Sequence, residues 1–270
     1  MILLLKLALV PASILLASLA ARRFGHAVSG VLSGLPLIAA PVIGALLIDR
    51  APAQVAAIAA ATLASVPAAI AHIVAFAWLS RRQPWWACLA GATLAFLLVG
   101  GIVTAPGWPL PWLAGIAAPF LALAIMPRAA RTAGGVHVPR GEIAVRMATA
   151  AALAAIVLVG ADTLPPRVSG LLLAFPITGS ILPSFTLPLY GHAATVNLLR
   201  GFANGLIGFT VFFATLMPLL GAWDSKPAAF LASLAAAGSA AWIVHRFRGA
   251  AARRAAPGNP AATAPDDRRA

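Results

Sequence analysis

The chain has 270 residues, of which 61% are hydrophobic and 9% charged, and its formal net charge is +13 at pH 7. That composition offers too little polar surface to cover a water-soluble globule, and the basic residues stand between apolar runs instead of clustering on one soluble face. It predicts an integral membrane protein and disfavours nucleic-acid binding, and the single cysteine, Cys88, excludes an internal disulfide and a cysteine-cluster metal site.

Continuous apolar runs of roughly 17 to 27 residues are long enough to span a bilayer as helices. In chain order they lie near residues 2–20, 28–48, 54–80, 85–104, 110–126, 144–161, 168–190, 193–220 and 227–246. The strands of an outer-membrane barrel would alternate apolar and polar residues, and these runs do not. The predicted fold class is therefore all-α, a polytopic transmembrane helical bundle of about nine helices.

The first run, MILLLKLALVPASILLASLAA, has the small residues of a signal-peptide cleavage site near its end. However, no basic residue precedes its apolar core, and Lys6 interrupts that core. An offset of 140 residues also places Lys6 on Arg146, just inside the sixth run, which is internal. We therefore expect the first helix to remain in the mature protein.

Lysine and arginine predict the orientation, because loops on the cytoplasmic side carry an excess of them. With the C-terminus inside, fourteen basic residues lie on the inner side and four on the outer side, and Arg200 falls within the eighth span. An odd number of spans then puts the N-terminus outside. The inner set is Arg22, Arg23, Arg81, Arg82, Arg128, Arg131, Arg140, Arg146, Arg246, Arg248, Arg253, Arg254, Arg268 and Arg269, and the outer set is Lys6, Arg50, Arg167 and Lys226.

One phrase occurs twice, as VSGVLSGLP at 28–36 and VSGLLLAFP at 168–176, with five identities in nine positions. In the predicted topology the two copies run in opposite directions, which indicates an inverted-topology repeat of four-helix units, a pattern typical of secondary transporters. The alternative is that Ala-rich apolar helices resemble each other by composition alone. The predicted organisation is a first four-helix repeat at 1–104, a connector helix and cytoplasmic loop at 105–143, a second, inverted repeat at 144–246 and a disordered basic tail at 247–270.

Prolines interrupt the second and seventh predicted helices at matching positions, Pro36 and Pro176. Each proline frees a backbone carbonyl, which at membrane depth is tolerated only where protein or a water-filled cavity satisfies it. Two such helices in matching positions are a pointer to a binding site, although kinking for close packing is an equally good explanation. Hydroxyl side chains follow the proline in the second copy, at Thr178, Ser180, Ser184 and Thr186, whereas the first copy is nearly bare of them there. We therefore place candidate solute-binding residues at Pro176, Thr178 and Ser180.

Ionisable residues inside the spans are functional candidates by default. Asn197, Arg200 and Asn204 share one helical face, and a guanidinium flanked by amides suits an anionic or strongly polar group. His72 in the third span lies at a similar depth to Arg200, so the two could face one another. The alternatives are that Arg200 extends towards lipid phosphates and that His72 is a packed histidine bonded to a neighbour.

Acidic residues are predicted only in loops, at span edges and in the tail. They are Asp49, Glu142, Asp162, Asp224, Asp266 and Asp267. A proton-coupled exporter of cations usually needs a buried carboxylate, and we expect none here. No nucleotide-binding, hydrolase or metalloprotease motif is present, so neither an enzyme activity, a cofactor nor a metal site is predicted.

The run RVSGLLLAFPITGSILPSFTLPLYGHAATVNLLRGFANGLIGF at 167–209 resembles the GlpM-like family of small four-helix bacterial inner-membrane proteins. Gly170, Phe175, Pro176, Arg200 and Gly201 carry the resemblance. It implies a fused, inverted pair of four-helix units, similar in logic to drug/metabolite transporters and linked to export or envelope polysaccharide production. The first half departs from the pattern, with Leu35 in place of the phenylalanine and no arginine in its third helix.

The leading prediction is a permease-type protein of the bacterial inner membrane that moves a small polar or anionic solute by alternating access. Its N-terminus is predicted to be periplasmic and its C-terminus cytoplasmic. The alternative is a non-transporting membrane scaffold or assembly factor in envelope biogenesis, whose small-residue faces pack against partner helices. The predicted partners are the lipid bilayer and the solute, without nucleic acid, and a homo-oligomer remains open.

Overall fold

The computed structural model describes residues 2–103, 105, 111–128, 136, 138–163 and 175–254, and these residues form an all-helical bundle without strands. The helices are α1 Ile2–Phe24, α2 His26–Gly34, α3 Ala39–Asp49, α4 Pro52–Leu79, α5 Trp85–Val103, α6 Pro111–Ile125, α7 Arg140–Thr163, α8 Ile177–Ala222 and α9 Lys226–Arg254. The predicted all-α fold is confirmed.

Within the part of the chain that the structure describes, five helical segments are long and apolar enough to cross a membrane. They are His26–Ile48, Pro52–Leu79, Trp85–Val103, Ile177–Ala222 and Lys226–Val244. Their side chains include many large apolar groups that face outwards, such as Leu94, Leu98 and Leu231, which are 57%, 60% and 63% exposed. Exposure of this apolar surface to water would be unfavourable in free energy, whereas lipid chains solvate it. The chain is therefore a membrane-embedded protein.

The predicted count of nine helices is wrong. With α2 and α3 taken as one broken helix, the described residues form eight helices, because the predicted seventh and eighth spans are joined in α8 without a loop. Gly191 has φ 78° and ψ −179°, a conformation in the region that glycine adopts without steric cost, and this single residue turns the chain. Gly191 divides α8 into a first limb, 177–190, and a second limb, 192–222.

Parts of the predicted organisation lie outside the described residues. These parts include residues 106–110, 129–135 and 137 of the connector, 164–174 with most of the second copy of the repeated phrase, and 255–270 of the tail. The helix α9 continues to Arg254, beyond the predicted end of the last span at 246.

Two glycine turns lie together at one end of the bundle. Gly25, between α1 and α2, has φ 84° and ψ 175°, nearly the geometry of Gly191. The residues beside these glycines are in contact, because the rings of His26 and Tyr190 are 4.8 Å apart. We call this the glycine-turn end. At the opposite end the Lys226 ammonium donates to the Arg50 carbonyl oxygen at 3.1 Å.

The closest helix packing joins α2 to the second limb of α8. Gly30 and Gly34 of α2 alternate with Gly201 and Gly205 of α8, and the two segments run parallel. A Cβ added at any of the four glycines would overlap a backbone carbonyl oxygen of the facing helix, at Leu198, Phe202, Ala27 and Val31 respectively. Small residues at four-residue spacing are what allow membrane helices to approach this closely.

The remaining helices surround this pair. The helix α1 packs antiparallel to α7: its last turn donates from Arg22 Nε to the Val138 carbonyl at 2.5 Å, and Val10 and Ile14 cluster with Ala150 and Ala154 of α7. The helix α6 runs parallel to α4, because Gly115 lies at Leu63 and Ile125 at Trp78. The helix α9 packs on the second limb of α8, where Phe230 meets Phe212. These contacts bring the two proline-interrupted segments into the interior.

Candidate functional site

The two proline-centred breaks have the same backbone hydrogen bonds. In the first, the Leu37 N–H donates to the Leu35 carbonyl at 2.7 Å and the Ala40 N–H to the Pro36 carbonyl at 2.8 Å. In the second, Ile177 donates to Phe175 and Ser180 donates to Pro176, both at 2.9 Å. Every partner in one set lies 140 residues from its counterpart in the other.

The second break begins a helix inside the protein. Pro176 has φ −79° and ψ 75°, the geometry of an inverse γ-turn, and α8 starts at the next residue. Thr178, Gly179 and Ser180, in its first turn, are all buried. Pro176 supplies no side-chain cap to this helix start, and apart from the Ile177 and Ser180 N–H groups, which donate to Phe175 and Pro176, its first N–H groups present the positive end of the helix dipole to the bundle interior.

His72 of α4 lies against that first turn. Its Nε2 is 3.1 Å from the Ser180 hydroxyl oxygen, which is also 3.0 Å from the Pro176 carbonyl oxygen. Because a carbonyl only accepts, the hydroxyl can donate to Pro176 while Nε2–H donates to the hydroxyl. Both side chains are completely buried, and the Nδ1 side of the imidazole lies near the backbone of Ala92 in α5 without a hydrogen bond of good geometry.

Phe175 closes the space beside the histidine. Its ring meets His72 edge-on at 5.4 Å and Phe96 of α5 edge-on at 5.3 Å. Two other hydroxyls of the first limb bond to their own helix. Ser184 donates to the Ser180 carbonyl at 2.7 Å, and Thr186 donates to the Leu182 carbonyl at 2.8 Å. The polar side chains nearest the break are therefore those of Thr178, Ser180 and His72, and a solute there would exchange hydrogen bonds with the Ser180–His72 pair.

Arg200 has a different set of partners. Its NH1 donates to the carbonyl oxygens of Met126 and Pro127, at 3.2 and 3.1 Å, just beyond the end of α6. The Trp78 indole N–H donates to the neighbouring Ile125 carbonyl at 3.1 Å. Arg200 of α8 and Trp78 of α4 thus donate hydrogen bonds to carbonyls at the end of α6, which have no donor within their own helix. By their similar depth His72 and Arg200 could have faced one another, and in the structure each has its own partners.

The two amides of the predicted stripe differ from each other. Asn197 is buried at 5% exposure. Asn204 is partly buried, and its Oδ1 is shielded from solvent with no hydrogen-bond donor among the described residues. A shielded acceptor without a donor is a favourable contact point for a polar solute or a water molecule.

Replacing Arg200 with Met should lower the free energy of unfolding by roughly 1.5–3 kcal/mol, because two carbonyls lose charged donors. Arg200→Lys should recover part of that loss, since an ammonium keeps the charge without the planar fork. Thermal unfolding of the purified protein measures both. Arg246→Met is the control, because Arg246 stacks on Trp242 at the periphery. Equal stability of Arg200→Met and the control would show that these bonds contribute nothing.

A second polar cluster, missed in the sequence, lies at the glycine-turn end. Glu142, expected at a span edge and not as a buried carboxylate, is in the first turn of α7 with a side chain only 10% exposed. It forms an ion pair with Arg146, which is 1% exposed, and accepts a hydrogen bond from the Tyr190 hydroxyl at 3.0 Å. Glu142 therefore lies at the edge of its span, where the sequence predicted it, and it is partly buried there by Arg146 and Tyr190.

This cluster connects both halves of the chain. Arg146 lies over the Phe185 ring at 5.6 Å, and Tyr190 stacks against His26 of α2. Arg146 Nε and His26 Nε2 are buried without hydrogen-bond partners among the described residues. The four-residue spacing of Glu142 and Arg146 is typical of a helical ion pair and was the available signal in the sequence.

No group of three or more histidine, cysteine or acidic side chains converges among the described residues in a way that could hold a metal ion. No protein-family model matches the chain, and no curated protein or solved structure matches it. The resemblance of residues 167–209 to the GlpM-like family therefore stays a prediction.

Proposed function

We propose that the chain is a permease-type membrane protein that moves a small polar or anionic solute by alternating access. The observation that carries the proposal is the pair of helix breaks at Pro36 and Pro176, which share their backbone hydrogen bonds at a constant offset of 140 residues. Interrupted helices at matching positions of two halves are where secondary transporters hold their solutes.

The contacts around the two breaks support an inverted repeat of 1–104 and 144–246. Phe175 packs between α4 and α5 of the first half. Leu35, its counterpart, packs against Gly208 in the second limb of α8, which in turn contacts the Ala237 backbone of α9. Each broken helix thus inserts its break between the last two helices of the opposite half. The antiparallel packing of α1 on α7 agrees with a twofold axis in the membrane plane.

The second break has the chemistry of the solute site. The start of α8 directs N–H groups into the bundle, and Ser180, Thr178 and His72 add neutral donors and acceptors. Neither α4, α5 nor α8 contains an acidic residue, and Glu142 of α7 is paired with Arg146 at the glycine-turn end. A helix start with its positive dipole end and no acidic neighbour favours a solute that carries negative charge or strong acceptors.

Alternating access requires that one end close while the other opens. At the glycine-turn end, the ion pair of Glu142 with Arg146 and the Tyr190 to His26 contact join α7 and α8 to α2. These contacts hold that end closed in this conformation. Opening it requires that they separate, and the glycine turns at 25 and 191 are positions where backbone dihedrals can change at low cost.

The orientation and the bacterial inner membrane belong to the same proposal. The described arginines Arg22, Arg81, Arg82 and Arg146 lie towards the glycine-turn end, whereas Arg50 and Lys226 lie at the opposite end. With the positive-inside rule, the glycine-turn end is cytoplasmic and the N-terminus of α1 periplasmic.

A non-transporting scaffold is the second candidate. The observation in its favour is close packing: the glycines of α2 and α8 interlock, and the His72 and Ser180 side chains are completely buried. In a scaffold the interior around the break can exclude water permanently, whereas a transporter must admit water to the break during each transport cycle.

Thiol reactivity at position 180 distinguishes the two candidates. In a Cys88→Ala background, Ser180→Cys is expected to react with a small water-soluble thiol reagent in membranes. Ala59→Cys is the matched dry control, because Ala59 is equally buried in the apolar core, and Ser225→Cys is the exposed control. If Ser180→Cys reacts no faster than Ala59→Cys, water does not reach the break and transport through it is refuted.

A further inference from the structure

The turn between α4 and α5 forms a half-open surface depression of about 270 Å³ that the proposed solute pathway does not use. It is lined by Trp78, Leu79, Arg81, Arg82 and Gln83, which we call the turn site. Its place in the bundle is fixed by the adjacent Ser80, whose hydroxyl is 2.8 Å from Nδ1 of His192 just past the Gly191 turn. The turn site therefore lies at the glycine-turn end, where the spans meet the membrane surface.

One wall of the turn site is a fixed aromatic ring. The Trp78 indole N–H is held by the Ile125 carbonyl of α6 at 3.1 Å. The Arg81 guanidinium lies 4.2 Å from the centroid of that ring, within the range of a cation–π contact. Because the indole cannot turn away without losing its hydrogen bond, it holds the guanidinium in place and leaves the polar edge of the guanidinium available to a ligand.

The turn site carries positive charge without a carboxylate to balance it. No described acidic side chain is within ion-pair distance of Arg81 or Arg82, since the ion pair among the described residues is that of Glu142 and Arg146. The helix α5 begins at Trp85, two residues after Gln83 of the turn site, and the first N–H groups of a helix attract anions. Two guanidinium groups and a helix start together select a phosphate or another compact anion.

The surroundings of the turn site favour an anion that belongs to a lipid. Trp78, Trp85 and Trp86 are 46%, 44% and 62% exposed, and indole rings accumulate at the boundary between lipid chains and headgroups. Arginines at this boundary contribute to binding anionic lipids, about 1 kcal/mol each. A lipid phosphate would reach the arginines while its acyl chains follow the apolar outer faces of α4 and α5.

We propose that the turn site binds the phosphate group of an acidic phospholipid through Arg81 and Arg82. The binding is independent of the proposed transport, because no residue of the turn site contacts the break at Pro176. A bound lipid would hold the α4–α5 turn at the membrane surface. It would also stabilise the end of α6, because Trp78 donates a hydrogen bond to the Ile125 carbonyl.

The test measures the thermal stability of the purified full chain in a neutral detergent with three additions. Phosphatidylglycerol is expected to raise the unfolding temperature, whereas phosphatidylcholine and inorganic phosphate at matched ionic strength are not. In Arg81→Gln/Arg82→Gln the phosphatidylglycerol affinity should fall roughly 30-fold, the equivalent of two arginines. Arg23→Gln, which removes an exposed arginine at the same end, should leave it unchanged.

Three results would overturn the proposal. Stabilisation by phosphatidylglycerol that survives in Arg81→Gln/Arg82→Gln would place the lipid elsewhere. Equal stabilisation by inorganic phosphate would make the ligand a free ion. If the glutamine variant cannot be purified, Arg81→Lys/Arg82→Lys keeps both charges but loses the planar fork, so weaker phosphatidylglycerol binding is expected and unchanged binding refutes the geometry.

Discussion

Replacement of Gly30 by alanine is expected to lower the free energy of unfolding by about 3 kcal/mol or more. The new Cβ would overlap the Leu198 carbonyl oxygen of α8, and the facing atom is backbone, which cannot move without shifting the whole helix. Gly201→Ala should have a similar effect, because its Cβ would overlap the Ala27 carbonyl oxygen. Thermal or detergent-induced unfolding of the purified variants measures the loss.

Gly238→Ala is the matched control for these variants. Gly238 lies in α9, and no atom lies within 4 Å of the position that its Cβ would occupy. Alanine is the better helix former by roughly 0.8–1 kcal/mol, so this substitution should leave stability unchanged or raise it. If Gly30→Ala is as stable as Gly238→Ala, the parallel packing of α2 on α8 is incorrect.

Glu142→Gln is expected to cost roughly 3–5 kcal/mol, because it leaves Arg146 charged, buried and without its anionic partner. Glutamine has nearly the same shape as glutamate, so the substitution preserves the packing and measures the effect of the charge alone. Arg146→Met alone should also destabilise the protein, because the Glu142 carboxylate loses its cationic partner and keeps only the hydrogen bond from the Tyr190 hydroxyl.

The double variant Glu142→Gln/Arg146→Met separates charge from packing. Removing both members of a buried pair often costs little, so this variant should be more stable than Glu142→Gln alone. Unfolding of the four proteins gives the coupling energy directly. If the losses in unfolding free energy are additive, the two side chains do not interact. The ion pair would then not be what holds the glycine-turn end closed.

Hydropathy predicted the spans best where charge and proline mark both ends. The run predicted at 54–80 is α4 at Pro52–Leu79, and the run predicted at 85–104 is α5 at Trp85–Val103. Proline at the first turn of α4 and arginines after its last turn leave little freedom for its boundaries. The breaks at Pro36 and Pro176 were predictable for the same reason, because proline has no N–H to continue a helix.

Partners distant in the sequence could not be predicted. Arg200 was recognised as unusual, but the carbonyls that it binds lie 73 and 74 residues earlier, at the end of another helix. The bend at Gly191 depends on a positive φ, which hydropathy does not reveal. Four-residue spacings at Gly30 and Gly34 and at Gly201 and Gly205 are visible in the sequence, whereas the fact that these two pairs interlock is a property of the fold.

The measurement that tests the central proposal most directly is the sidedness of labelling at position 180. Ser180→Cys, in the Cys88→Ala background, is treated with a membrane-impermeant thiol reagent in right-side-out and in inverted membrane vesicles, with Ala59→Cys as the dry control. Alternating access predicts that the thiol at 180 reacts from both sides, through two conformations of one bundle. Reaction from neither side, at the rate of Ala59→Cys, would contradict it and leave the chain a closed membrane scaffold.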